Sequence, residues 1–240
     1  MLWEHAVRVR IPVLRQMKLL IYGSSSEKVV SLAKKIGFNV VKKNPDVVAS
    51  FGGDGTFMLA EKDFPEIPKF YIKNSCVCKK CSCLSNEEVL KRIKNNKYIT
   101  EEHIKISAKA NKKSICGLNE IIVHNKDPRK AIRYEIFING EKIGKEIIGD
   151  GVVIASPYGS TGYYRSITDS FFEVGIGVAF NNSTEQSDHM VIKEDSKIKI
   201  KITRGVAVAY ADNHSEEIKL GNGDEIFIEK SSATAKIIKI

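Results

Sequence analysis

The chain has 240 residues, of which 42% are hydrophobic and 28% charged, with a net charge of +9 and a pI near 9.2. That length supports a substantial core in one large domain or two smaller ones, and two are expected. The longest apolar runs, such as 174–180, fall far short of a membrane span, and no arginine-rich block or aromatic-interleaved basic stripe marks a nucleic-acid partner.

Residues 1–16 carry Arg8, Arg10 and Arg15 among apolar residues, but lack the continuous apolar run and small-residue cleavage site of a signal peptide. With Met17 a natural start, they are set aside as an N-terminal extension, and a cytoplasmic location is expected. The run 17–23 reads as a first buried strand ending at Gly23, followed by Ser24 to Ser26 as caps for a helix over 27–36. Gly37 stops that helix, 39–41 forms a short strand, and 46–51 is the next strand. A helix over 56–62 halts before Pro65, another strand spans 69–72, and a helix spans 86–94 with Asn86 as N-cap for Val89, Leu90 and Ile93.

From about Tyr98 the periodicity changes to two, in 103–106, 132–138, 197–202 and 225–228. Turn chemistry agrees, with Asn139-Gly140 and Gly221-Asn222-Gly223-Asp224 between strand-like runs. The expected plan is therefore the extension 1–16, an α/β domain over 17–97 and a mainly β domain over 98–240, whose last segment returns to the first domain. The positive charge is read as a lysine- and glutamate-rich solvated surface, since glutamine occurs only at Gln16 and Gln186.

Phe51-Gly52-Gly53-Asp54-Gly55-Thr56 follows an apolar run and places one carboxylate inside a glycine loop. Small residues let backbone N–H groups approach an oxyanion, and a helix opening at Thr56 turns its positive end to the same point. That arrangement points to phosphoryl transfer, at the carboxyl end of a parallel strand where open α/β sheets hold ligands. Two further stretches carry polar groups beside buried strands: Leu118-Asn119-Glu120-Ile121-Ile122-Val123, and the run 149–163 from Gly149-Asp150-Gly151 to Ser156-Pro157-Tyr158-Gly159-Ser160-Thr161-Gly162-Tyr163. Neither a standard P-loop nor a Gly-x-Gly-x-x-Gly turn is present.

Taken in order, these three motifs resemble the archaeal-like, ATP- or polyphosphate-dependent NAD kinase family, over roughly 17–240. The resemblance implies an α/β N-terminal domain with a Rossmann-like open sheet and a mainly β, sandwich-like C-terminal domain. It also implies phosphorylation of the 2′-hydroxyl of NAD's adenosine ribose to give NADP, with ATP or polyphosphate as donor and Mg²⁺ or another divalent metal. Asp54 is by resemblance the catalytic base, with a helix N-cap or metal tether as the alternative. Gly52, Gly53, Gly55 and Thr56 shape the donor loop. Asn119 and Glu120 resemble the pair that binds adenosine, Asp150 an acid near the nicotinamide, and Thr161, Gly162, Tyr163 and Ser166, with Tyr158 ahead of them, the stretch around the adenine. A solvent-facing Glu120 and a core Tyr163 are the structural alternatives. The family site borrows groups across a subunit contact, which implies a homo-oligomer, dimer or tetramer. A diacylglycerol or sphingosine-type lipid kinase and a non-catalytic NAD(P)-binding sensor are the rival readings.

The chain departs from the family pattern in several places. Ile148 stands where a basic residue is common, with Lys145 the nearest replacement, and 164–169 replaces a small-residue continuation. Asp212-Asn213 keeps the acid of an Asp-Gly turn and swaps its glycine for a residue that tolerates a left-handed conformation. Cys76, Cys78, Cys81 and Cys83 put four thiols in eight residues. Four thiolates can close a Zn²⁺ site, but this spacing is tighter than usual, and reduced thiols beside Lys79 and Lys80 fit a cytosol better. Cys116 reads as a buried hydrophobe, and His189 and His214 as polar groups of β-domain loops.

Overall fold

The computed structural model describes residues 16–23, 27–74, 83–184 and 189–240. Residues 1–15, the expected caps Ser24 to Ser26, and Cys76, Cys78 and Cys81 lie outside the described residues. The first elements are β1 (Lys18–Tyr22), α1 (Glu27–Ile36), β2 (Asn39–Val40), β3 (Val47–Phe51), α2 (Asp54–Asp63), β4 (Lys69–Ile72) and α3 (Asn86–Lys94). The strands pair in parallel in the order β2-β1-β3-β4. Val47, Val48 and Ala49 of β3 and all four residues of β4 are buried, as strands covered on both faces must be. Helices α1 and α3 cover one face with Val29, Ala33, Val89, Leu90 and Ile93. The chain runs outward from β1 to β2, then returns to the other side of β1 as β3. This reversal opens a crevice at the carboxyl ends of β1 and β3, and the glycine loop leaves β3 at that point.

Two helix starts differ from expectation. Helix α2 begins at Asp54 rather than Thr56, because Gly53 takes the N-cap position with an extended backbone and no side-chain cap. Helix α3 is capped by Ser85, whose Oγ accepts the Glu88 N–H at 3.2 Å. The Asn86 amide is engaged elsewhere, accepting from the Lys73 N–H and donating to the Lys73 carbonyl, each at 2.9 Å.

The remaining strands are β5 (Ile99–Ala110), β6 (Lys113–Gly117), β7 (Glu120–Asn125), β8 (Ile132–Ile138), β9 (Glu141–Gly149), β10 (Gly151–Ala155), β11 (Ile176–Asn181), β12 (His189–Ile192), β13 (Ile198–Arg204), β14 (Ala207–Ala211), β15 (Ile218–Leu220) and β16 (Glu225–Lys239). An irregular turn over Ser160–Tyr164, kinked at Gly162, leads into the short helix α4 (Arg165–Thr168) between β10 and β11. His189 opens β12 opposite Ala179 rather than lying in a loop. Asn139 and Gly140 both take positive φ in the β8–β9 hairpin, as that dipeptide favours.

A six-stranded antiparallel sheet runs β12-β11-β10-β7-β14-β15. It packs against antiparallel strands of the other sheet, with Ile121, Val123, Val152 and Ile154 meeting Ile106, Ile136, Ile200 and Ile226. This is the sandwich-like half. Strand β16 joins the halves: it is antiparallel to β13 and β5, and at Ile237 it is parallel to β4 beside Lys69. One mixed ten-stranded sheet results. Among the described residues, no helix is long and apolar enough to cross a membrane.

The seam between the halves has an apolar part and an ionic part. Phe57, Met58, Tyr71, Leu118, Ala235 and Ile237 pack together, with Tyr158 against them. Beneath α2, the carboxylate of Glu61 binds the ammonium of Lys69 at 2.7 Å and that of Lys105 at 3.0 Å, all three side chains being at least nine-tenths buried. Lys69 also donates to the Ile67 carbonyl at 2.7 Å. Burial lowers the Lys69 pKa, and the Glu61 charge works in the opposite direction.

Candidate active site

The turn after β14 gathers the three motifs. Asp212 adopts a left-handed conformation, φ 50°, so the acid itself and not Asn213 takes the place that favours glycine. Its carboxylate accepts the N–H groups of Leu118 and Asn119 at 2.8 Å and of Glu120 at 3.0 Å. Asn213 Nδ2 reaches the other way and donates to the Gly55 carbonyl at 3.1 Å. Burial raises the Asp212 pKa, while the three N–H donors and the charge of His214 draw it down. The third motif closes on the second: Ser156 Oγ donates to the Leu118 carbonyl at 2.5 Å and Ser156 N–H to that of Asn119 at 2.8 Å. Gly159 packs so tightly there that a Cβ would stand 2.2 Å from the Asn119 carbonyl oxygen, which excludes any other residue.

On the donor-loop side, Asp54 is exposed in the first turn of α2. The first-turn N–H groups of that helix have no intrahelical acceptor and face the crevice with its positive end. Gly53 borders open space, whereas a Cβ on Gly55 would press the Asn213 amide at 3.0 Å. Tyr71 and Tyr158 hydroxyls are 2.8 Å apart, and the Tyr71 ring stacks on Phe57 with centroids 4.2 Å apart. Burial, followed by neighbouring groups, raises the pKa of Tyr71, and burial raises that of Tyr158.

Opposite them, Glu120 is buried, which removes the solvent-facing alternative. Asn119 Oδ1 is buried with no hydrogen-bond partner among the described residues, a polar atom in want of a donor. Gly162 sits with its Cβ direction 3.8 Å from Glu120 Oε2, beside exposed Thr161. Tyr163 is half-buried and its hydroxyl accepts from Asn181 at 3.0 Å; Ser166 Oγ donates to the Tyr163 carbonyl at 2.7 Å. Asp150 accepts from Asn125 and Asn182, each at 3.0 Å, and the charges of Asp150 and Glu120 both act on the Tyr163 phenol.

Lys145 is the outlier. It is exposed on the outer strand β9, in the irregular stretch between the Ile143 and Ile147 pairings, whereas Asp150 lies beyond the end of that strand. A nearer cation, which sequence spacing does not reveal, is Arg133, directly across from Ile148 and 3.3 Å from Glu146. Cys116 is half-buried rather than buried, with burial raising its thiol pKa. Among the described residues, no three His, Cys, Asp or Glu side chains cluster so as to hold a metal ion by themselves. A divalent cation is compatible with Asp54 alone if phosphate oxygens and water complete its shell, the usual manner of Mg²⁺.

Comparisons with known proteins agree with this geometry. The family model of the ATP-NAD kinase C-terminal domain matches residues 118–240. An NAD kinase of Sulfurisphaera tokodaii is 28% identical over 239 residues, covering 93% of this chain and 95% of that protein. One from Saccharolobus islandicus is 33% identical over 144 residues, 60% of this chain, and the match spans 57% of that relative's length. Among solved structures, an NAD kinase from Archaeoglobus fulgidus in complex with ATP superposes with a TM-score of 0.77 at 23% identity, over 94% of each chain. Yeast NADH kinase complexed with NADH gives 0.79 at 18% identity, over 94% of this chain and 84% of that one. At such identities the two structures establish the shared fold.

Proposed function

The chain belongs to the NAD kinase family, and from that premise we propose that it phosphorylates the 2′-hydroxyl of the adenosine ribose of NAD, giving NADP. The observation that carries the proposal is the Asp212–Asn213 turn, which ties Gly55 to the Asn119-Glu120 segment and so supports reading the two as a phosphate-type loop and a ribose-type edge of one cleft. ATP or polyphosphate lays its terminal phosphates on the N–H groups opening α2, over Gly52 to Thr56. Asn119 and Glu120 hold the vicinal ribose hydroxyls; Tyr158 and Thr161 to Ser166 border the adenine, and Asp150 lies toward the nicotinamide. Lys145 has no comparable support.

Asp54 takes the 2′-hydroxyl proton as the O2′–P bond forms and the bond from the terminal phosphorus to its bridging oxygen breaks, the electron pair leaving with ADP or the shortened polyphosphate. Asp54 and the donor's phosphates are the groups that would hold Mg²⁺, which would supply charge neutralisation there. Positioning does most of the work, with the loop glycines and the helix end supplying the N–H groups for the phosphates.

The same reading makes the protein a cytoplasmic homo-oligomer, a dimer or tetramer. The relatives named above favour neither the lipid-kinase nor the sensor alternative. Incubation with NAD, Mg²⁺ and either ATP or polyphosphate is expected to produce NADP in proportion to enzyme and time. Absence of NADP with both donors at saturating NAD refutes the proposal.

A further inference from the structure

Helix α2 carries Asp54 at its start and a buried ion bridge near its end. Asp54 and Glu61 are both helical residues, seven positions apart, so they share one face of α2 about 10.5 Å apart along its axis. Phe57 lies between them on that face and stacks on Tyr71.

Each oxygen of the Glu61 carboxylate has its own partner: Oε2 faces the Lys69 ammonium at 2.7 Å, and Oε1 accepts from that of Lys105 at 3.0 Å. Lys69 stands on β4, paired with β3 on one side and meeting β16 at Ile237 on the other. Lys105 stands on β5 of the sandwich half, opposite the irregularity of β16 between Lys230 and Thr234. One oxygen therefore answers to each half of the molecule.

Desolvating three ions is repaid only in part by their attraction, and apolar side chains of similar volume often stabilise such a place as well or better. What the bridge supplies is direction. Phe57, Met58 and Ala60 bury apolar surface on α2, but apolar burial does not by itself fix how a ten-residue helix is turned about its axis. With side chains ~5–6 Å from the axis, a turn of about 20° moves a group at the rim by ~2 Å, and misplacement on that scale costs a reacting group most of its efficiency. The other ties between α2 and the sandwich half, Lys62 with Glu216 and Asn213 on the Gly55 carbonyl, are exposed and restrain less.

We propose that Glu61 is a positioning residue for the phosphoryl transfer: bridged to Lys69 and Lys105, it sets the rotation of α2 and so aims Asp54 and the N–H groups opening the helix at the Asn119-Glu120 edge. The inference rests on the reaction proposed above and extends it to a buried group about two helical turns from Asp54.

The test replaces all three charges together, Glu61→Met with Lys69→Met and Lys105→Met, and follows the denaturation midpoint, NAD binding by calorimetry, and NADP formation at a temperature where each variant is folded. The midpoint is expected to stay at or above that of the unmodified chain and NAD affinity within about twofold, while kcat falls about tenfold. A stable variant whose kcat stays within about twofold overturns the proposal, since the bridge then serves folding alone. NAD affinity falling in step with kcat also overturns it, because the whole seam and not the helix has moved. Glu61→Asp keeps every charge and shortens the bridge by one methylene, and its kcat is expected to fall about threefold at unchanged NAD affinity. That variant decides the question should the triple variant be destabilised: unchanged kcat in it overturns the proposal. If the unmodified chain makes no NADP, the reaction itself falls, an outcome distinct from an active enzyme indifferent to Glu61.

Discussion

Between the two antiparallel layers the contact is aliphatic, with Ile121, Val123 and Ile154 against Ile136, Ile200 and Ile226. Between the parallel half and those layers, an apolar cluster around Phe57, Leu118 and Ile237 is joined by directional contacts, Glu61 to the buried Lys69 and Lys105 and Asn213 to Gly55, while Asp212 fixes three N–H groups on the sandwich side of the same turn. Aliphatic burial is strong but non-directional, so it stabilises a sandwich without fixing which loops meet at its end. Charged and hydrogen-bonded groups cost desolvation and tolerate little displacement, which suits a contact whose register, in the proposed reaction, brings Asp54 to the Asn119-Glu120 edge. The two contacts should therefore answer differently to small changes.

The largest expected effect is at Glu61. Replacing it by Gln leaves Lys69 and Lys105 buried without a counter-charge, and breaking a buried pair in this way costs about 3–5 kcal/mol. Chemical denaturation should register this loss; a change below about 1 kcal/mol would mean that water or relaxation compensates both lysines. Next is Asp212→Ala, which strands the N–H groups of Leu118, Asn119 and Glu120. It is expected to cost about 3 kcal/mol of stability and to weaken NAD binding at least tenfold, measured by titration calorimetry. Normal NAD affinity in a folded Asp212→Ala protein would separate the turn from the site. The smallest effect belongs to the sandwich: Ile200→Val should cost about 1 kcal/mol with kcat and KM unchanged. A loss of activity there would erase the distinction between the two contacts.

The fold class was legible because its signals are periodic. Val29 and Ala33 on α1, the apolar β3 and β4, and the alternation of β13 each report one period clearly. Helix starts were less legible, since they depend on which group is free to cap: Asn86 looks like a cap until Lys73 is seen to occupy its amide. The alternation in 103–106 sets Lys105 apart from its isoleucine neighbours, but α2 covers that face too and buries the lysine on Glu61. At the site, the three motifs could be read from residue types and order, but the turn that joins them could not. Asp212 and Asn213 stood out in sequence only as a departure from a pattern, and their partners lie about 90 and 160 residues away along the chain.

The central claim is that Asp54 activates the ribose hydroxyl in a cleft made by both halves. It is tested most directly by Asp54→Asn, comparing NAD binding by calorimetry with NADP formation at saturating NAD and donor. NAD affinity is expected to stay within about threefold of the unmodified protein while turnover falls about 10²- to 10⁴-fold. Turnover within a few-fold of the unmodified protein, with NAD still bound, would contradict it.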